Sequence, residues 1–165
     1  MQIIERLKNG ESCALITDAG TPAISDPGED IVRLCAENGV TVTSIPGCCA
    51  AITALTLSGL STTRFVFEGF LSTSKSERRE RLDELSGDVR TMIFYEAPHK
   101  LKATLSDIAE IFGNDRNITL CRELTKMNEQ IIRTTLGNAI KYYEESEPPA
   151  YTLIVVAPAE IAITL

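Results

Sequence analysis

The feature that most constrains this chain is a pattern that occurs twice: a short apolar run, a loop of small residues, then a helix. Cys13-Ala14-Leu15-Ile16-Thr17 empties into Asp18-Ala19-Gly20-Thr21-Pro22-Ala23-Ile24-Ser25-Asp26-Pro27-Gly28. Val40-Thr41-Val42-Thr43-Ser44-Ile45 empties into Pro46-Gly47-Cys48-Cys49-Ala50-Ala51. Chains that alternate strands and helices fold as α/β sheets with helices on their faces. In open sheets of that kind, ligands bind beyond the carboxyl ends of the strands. Glycine at such a turn lets a ligand approach bare backbone, and Asp18 can accept from hydroxyls or an amine. Two strand ends carrying small-residue loops therefore predict a shared pocket.

The rest of the chain keeps the alternation. Residues 3–8 read as a helix end stopped by Asn9-Gly10. Asp26 reads as an N-cap, with Pro27 and Glu29 in the first turn of a helix that buries Ile31, Val32, Leu34 and Cys35. Residues 50–57 are apolar nearly all round, which predicts a buried helix, and Ser58-Gly59 ends it. Ser61-Thr62-Thr63 reads as a linker between parts spanning 1–62 and 64–165. Strands are expected at 65–71, 90–95, 117–121, 130–135 and 151–157. Helices are expected after the Ser74-x-x-Glu77 box, after Pro98 (with Leu101, Leu105, Ile108 and Phe112 on one face) and over 138–143.

Composition narrows the function classes. With 165 residues, 44% hydrophobic and 24% charged, the chain can bury a globular core. No apolar run approaches the roughly 20 residues of a membrane helix. Five cysteines (Cys13, Cys35, Cys48, Cys49 and Cys121) in no Cys-x-x-Cys pair fit a reducing, cytoplasmic setting, with Cys48-Cys49 as packing residues. His99 is the single histidine, which removes a histidine-rich metal site; no metal is expected. A formal charge of −7 argues against nonspecific nucleic-acid binding but leaves room for a local patch. Lys75, Arg78, Arg79 and Arg81 are candidates for phosphates, yet Glu77, Glu80, Asp83 and Glu84 cancel them, the pattern of a solvated helix face. Arg122, Glu123 and Lys126, after a strand, read either as a functional cluster or as a salt-bridged loop.

The loops also carry a family resemblance. Asp18-Ala19-Gly20-Thr21-Pro22 with Asp26-Pro27-Gly28, Pro46-Gly47-x-Cys49-Ala50, Ser58-Gly59-Leu60, Phe67-Glu68-Gly69-Phe70-Leu71, Phe94-Tyr95-Glu96 and Arg122-Glu123-Leu124-Thr125-Lys126 form one ordered series. The series resembles the ribosomal RNA small-subunit methyltransferase I family, 2′-O-ribose methyltransferases of the tetrapyrrole-methylase superfamily. The resemblance implies the class III S-adenosyl-L-methionine methyltransferase fold: two α/β subdomains with the cofactor cleft between them. It further implies a homodimer that modifies a cytidine of small-subunit rRNA, with rRNA or the ribosomal subunit as partner and no membrane. Family members open with a further strand and a Pro-Thr-Pro-Ile-Gly-Asn-type loop that this sequence lacks, so the first subdomain is expected to be truncated. Pro149-Ala150 stands where the family carries Gly-Glu.

By position, the resemblance assigns cofactor contacts to Asp18, Ala19, Gly20, Thr21, Ile24, Pro46, Gly47, Cys49 and Ala50, and to Tyr95, Leu124 and Thr125. Methyl transfer from a sulfonium is mainly a problem of alignment, and a ribose hydroxyl also needs a base or a nearby cation. Either Glu123 takes the proton, or Lys126 does if burial lowers its pKa. Tyr95 or Phe70 would offer an aromatic platform for a flipped base. Two rivals stand beside this reading: C-methylation of a tetrapyrrole, which the wider superfamily performs, and a non-catalytic flavodoxin-like binding or dimerisation module.

Overall fold

A computed structural model describes residues 2–146, 148 and 150–159. Pro149, at the Gly-Glu position of the resemblance, lies outside them. The chain forms two compact units, Met1–Cys49 and Ala50–Leu165.

The second unit is built on one five-stranded mixed sheet. Its strands are β1 (Phe65–Phe70), β2 (Thr91–Glu96), β3 (Asn117–Arg122), β4 (Gln130–Thr135) and β5 (Thr152–Val156), in the order β1-β2-β5-β3-β4. β1 and β2 are parallel, while β5 lies antiparallel between β2 and β3. β1, β2 and β3 therefore point the same way, and their carboxyl ends share one edge of the sheet. The numbering below adds α1 (Gln2–Lys8), α2 (Glu29–Glu37), α3 (Ala50–Ser58), α4 (Lys75–Leu85), α5 (Leu101–Phe112) and α6 (Leu136–Glu144).

Side-chain alternation sorts the sheet into two faces. Met92, Phe94, Ile118, Leu120, Ile154 and Val156 face a core filled by Leu82 and Leu85 of α4, Leu101, Leu105 and Ile108 of α5, and Leu136 and Tyr143 of α6. The stripe expected on α5 is fully buried there. The opposite face receives α3, where the buried Thr119 hydroxyl donates to Ser58 O at 3.0 Å. Arg133 of β4 donates to Leu57 O, so the exposed carbonyls at the end of α3 are satisfied from the sheet. α3 is not buried all round as expected: Ala51, Ala54, Leu55 and Ser58 are buried, but Ile52 is 47% exposed. The break in compactness precedes residues 61–63, which are themselves tied down. Thr91 Oγ1 donates to Ser61 O at 2.7 Å, and Thr91 N to Arg64 O.

The first unit departs from expectation in two ways. Residues 13–17 and 40–45 form no strand, because β structure requires a paired ladder and neither segment has one. Their apolar side chains stand open, with Ile16 at 85% and Ile45 at 80% exposure. α2 also starts later than its cap signal suggests. Gly28, at φ +143°, holds the N-cap position, so Asp26 and Pro27 lie ahead of the helix. Within α2, only Cys35 of the expected stripe is buried.

Candidate functional site

In the first unit the two small-residue loops meet. The Thr21 hydroxyl donates to Cys48 O at 3.0 Å, tying the loop after residue 18 to the loop after residue 45. Gly20 and Gly47 lie at this junction: a β-carbon on Gly20 would come to 3.6 Å from Cys48 O, and one on Gly47 to 3.8 Å from Thr21 Oγ1. Gly20, Ala23, Ser25 and Gly28 all adopt positive φ. For Ala23 (67°) and Ser25 (56°) this conformation is strained, and such strain concentrates at ligand clamps and switch regions. Asp18, Ala19, Gly20, Ile24, Pro46, Gly47 and Ala50 are exposed, and Thr21 and Cys49 are half-buried. The loop pair thus presents exposed backbone on a joined support.

In the second unit, the remaining expected site residues gather along the edge where β1, β2 and β3 end. Phe70 pairs with Tyr95, Tyr95 with Leu153, and Leu153 with Cys121; one row further on lie Glu96, Thr152, Arg122 and Gln130. β2 and β3 are separated by β5 alone, so Tyr95 and Cys121 are about 10 Å apart across the sheet. Glu96 is buried at 3% exposure; its carboxylate accepts from Ala97 N at 2.8 Å and from the Thr104 hydroxyl at 2.5 Å. Those bonds fix the turn that leaves β2 one residue after Tyr95.

The loop after β3 is a tight, internally bonded turn. Glu123 (φ 50°) and Thr125 (φ 65°) are left-handed, and Lys126 N donates to Glu123 O at 3.0 Å. Thr125 N donates to Glu129 Oε2 at 2.7 Å, and Lys126 Nζ lies 3.2 Å from Glu123 Oε1. The Glu123 side chain is 30% exposed and that of Lys126 is 67% exposed, so the burial that a lysine base requires is not met. Arg122 turns away from this group: its Nε donates to Gln130, and by alternation it shares the face of Leu120 and Tyr143.

The basic residues of α4 are engaged internally. Arg78, itself buried, pairs with buried Asp107 of α5 at 2.6 Å; Arg79 pairs with Asp107 and Glu110, and Arg81 with Glu68 and Glu84. Arg78 and Arg79 thus tie α4 to α5 and Arg81 ties it to β1, while Lys75, 4.0 Å from Asp107, keeps an exposed side chain. Sequence reasoning missed the buried role of Glu96 and a β-bulge at Glu68. The signal for the bulge was the Glu68-Gly69 pair inside an otherwise apolar strand. Cys121 is buried in the sheet, and burial pushes its thiol up to about 11. Among the described residues, no helix is long and apolar enough to cross a membrane and no cluster of His, Cys, Asp and Glu is arranged for a metal ion.

Comparison with known proteins gives this geometry a context. The profile of the tetrapyrrole (corrin/porphyrin) methylases matches residues 1–140. A protein of Synechocystis sp. named ribosomal RNA small subunit methyltransferase I is 48% identical over 158 residues, covering 96% of this chain and 57% of the relative. Proteins of that name from Xylella fastidiosa (50% over 136 residues; 82% of this chain, 50% of the relative) and Bacillus subtilis (48% over 146 residues; 88% and 50%) are also similar. The chain spans about half the length of the curated relatives it matches. Among solved structures, the methyltransferase CobJ superposes with a TM-score of 0.69 at 19% identity, over 96% of this chain and 69% of that one. Cobalt precorrin-4 methyltransferase CbiF does so with 0.61 at 16% identity, over 94% and 68%. At such identities the likeness shows a shared fold.

Proposed function

The chain belongs to the tetrapyrrole (corrin/porphyrin) methylase family, and on that premise we propose that it acts as an S-adenosyl-L-methionine-dependent methyltransferase on small-subunit rRNA. Its target is the 2′-hydroxyl of a cytidine ribose, and its partners are the ribosomal subunit and a second copy of the same chain. The substrate class rests on relatives at 43–50% identity that carry the rRNA methyltransferase name. The tetrapyrrole reading is not favoured, because its support is the fold likeness at 14–19% identity. The observation that carries the cofactor assignment is the Thr21–Cys48 junction, with bare backbone at Gly20 and Gly47.

S-adenosylmethionine, when bound, supplies an electrophilic methyl group on a sulfonium sulfur. The backbone at Gly20 and Gly47 admits the cofactor closely, with Thr21 holding the two loops at a fixed spacing. In the second unit, Tyr95, Leu124 and Thr125 are cofactor contacts. Glu123 accepts the proton of the ribose hydroxyl, and Lys126, bonded to that carboxylate, orients it. Lys126 is the weaker base candidate because it stands open to solvent.

The test is transfer of tritiated methyl from S-adenosylmethionine to small ribosomal subunits. The site is read by resistance to alkaline cleavage, since a methylated 2′-oxygen cannot attack its phosphate. Glu123→Gln lowers kcat by about 100-fold or more, the usual range for a lost general base. Gly47→Ala introduces no clash within the protein yet raises the cofactor Kd. Methyl groups found on bases, or full rates in Glu123→Gln, contradict the mechanism.

A further inference from the structure

We propose that Phe70, backed by Tyr95 and Phe67, is a stacking platform for an unpaired base of the RNA substrate; this rests on the rRNA methyltransferase reading above. The observation that carries it is the bulge in β1. Residues three apart on a regular strand point to opposite faces of a sheet. Here the pairing with β2 steps from Phe67↔Ile93 to Gly69↔Phe94, leaving Glu68 as an extra residue. Gly69 takes φ 64°, and the bulged Glu68 forms a bidentate pair with Arg81 of α4 at 2.9–3.1 Å. The inserted residue brings Phe67 and Phe70 onto the same face of the sheet as Tyr95, both in edge-on contact with its ring.

Bulges are rare between parallel strands, and where they occur near active sites they re-aim a side chain. The side chains re-aimed here are aromatic. Phe67 lies edge-on to Tyr95 with centroids 5.0 Å apart, and Phe70 does so at 5.5 Å. The two rings meet edge to face, with planes inclined at 71°, rather than stacked, and Phe70 is 52% exposed, so ring surface stays open to a further partner. Its backbone is nevertheless locked in the ladder opposite Tyr95, at the carboxyl edge of three co-directional strands where ligands of such sheets bind.

A nucleotide within a polymer reaches only a ring at the surface, because its neighbours need passage on both sides. Phe70 meets that condition, and Tyr95 and Phe67 behind it are half-buried. A base that leaves its stack in RNA is held on an aromatic ring. The Phe70 ring takes the place of the lost neighbour and reads no base edge, so the platform tolerates any base.

The experiment titrates the chain into a single-stranded oligoribonucleotide carrying one 2-aminopurine, whose fluorescence is quenched when it stacks. In parallel, calorimetry measures S-adenosylmethionine binding. The wild-type chain quenches the probe. Phe70→Leu keeps the apolar contact but removes the π-face; it loses the quench and weakens RNA binding at least about fivefold. Phe70→Trp restores both, and cofactor affinity and the thermal midpoint stay at wild-type values in each variant. Undiminished quenching by Phe70→Leu overturns the proposal. A parallel fall in cofactor affinity also overturns it, assigning the ring to the adenine of the cofactor. Cofactor binding without any RNA binding by the wild-type chain overturns the platform and leaves the cofactor assignment standing, whereas absence of cofactor binding counts against that assignment itself.

Discussion

The two units of this chain solve opposite problems. The second closes a sheet between helices, with Met92, Ile93, Phe94, Leu105, Ile154 and Val155 wholly buried. In the first, Ile4 and Cys35 are the buried hydrophobic residues among those described, and its two small-residue loops are joined by the Thr21–Cys48 bond. Free energy of folding therefore concentrates in the second unit, while the first, on the proposed reading, keeps backbone free for a ligand. Ligand-binding segments are drawn from the less stable parts of a protein for this reason.

Side-chain truncation in each unit gives the largest difference between them. Leu105→Ala, at 0% exposure in the second core, costs about 2–5 kcal/mol in denaturant unfolding. Ile45→Ala, at 80% exposure, changes stability by less than about 0.5 kcal/mol. Equal costs would mean that residue 45 lies in a core of its own.

A smaller effect comes from the thiols. Cys13 and Cys48 are exposed, whereas Cys121 lies inside the sheet with its pKa raised to about 11 by burial. Iodoacetamide at pH 8.5 labels Cys13 and Cys48 in the native chain, and Cys121 only after unfolding. Because the folded pKa of Cys121 lies above its ordinary value of 9.0, its contribution to stability is complete below pH 9 and is lost as the pH rises through about 11. Native labelling of Cys121 at a rate like that of Cys48 would show that the sheet opens as readily as the loops.

The same contrast explains what was legible in the sequence. The expected segments 65–71, 117–121 and 130–135 match β1, β3 and β4 closely, because each has a neighbour to pair with and a core to face. Residues 13–17 and 40–45 carry the same β-prone composition without a ladder, and composition alone does not make a strand. The insertion of β5 between β2 and β3 was not legible, since strand order depends on contacts far apart in sequence. Glycines flagged both small-residue loops and, in retrospect, the bulge at Glu68. The left-handed Ala23, Ser25, Glu123 and Thr125 left no trace in the sequence, because residues of these types seldom adopt that conformation. The basic run of α4 looked like a solvated face; Arg78 proves to be buried against Asp107, a partner 29 positions away.

On the proposed reading, the joined loops of the first unit supply the backbone that binds the cofactor, while the second unit contributes side chains from a sheet that is already ordered. Amide hydrogen exchange with and without saturating S-adenosylmethionine tests it directly. In the free chain, residues 18–28 and 45–49 exchange fast and the amides of β2, β3 and β5 exchange slowly. On addition of the cofactor, exchange slows in both loop segments together, with the sheet amides little changed. Loops that exchange at the same rate with and without the cofactor, or protection confined to the second unit, would contradict it.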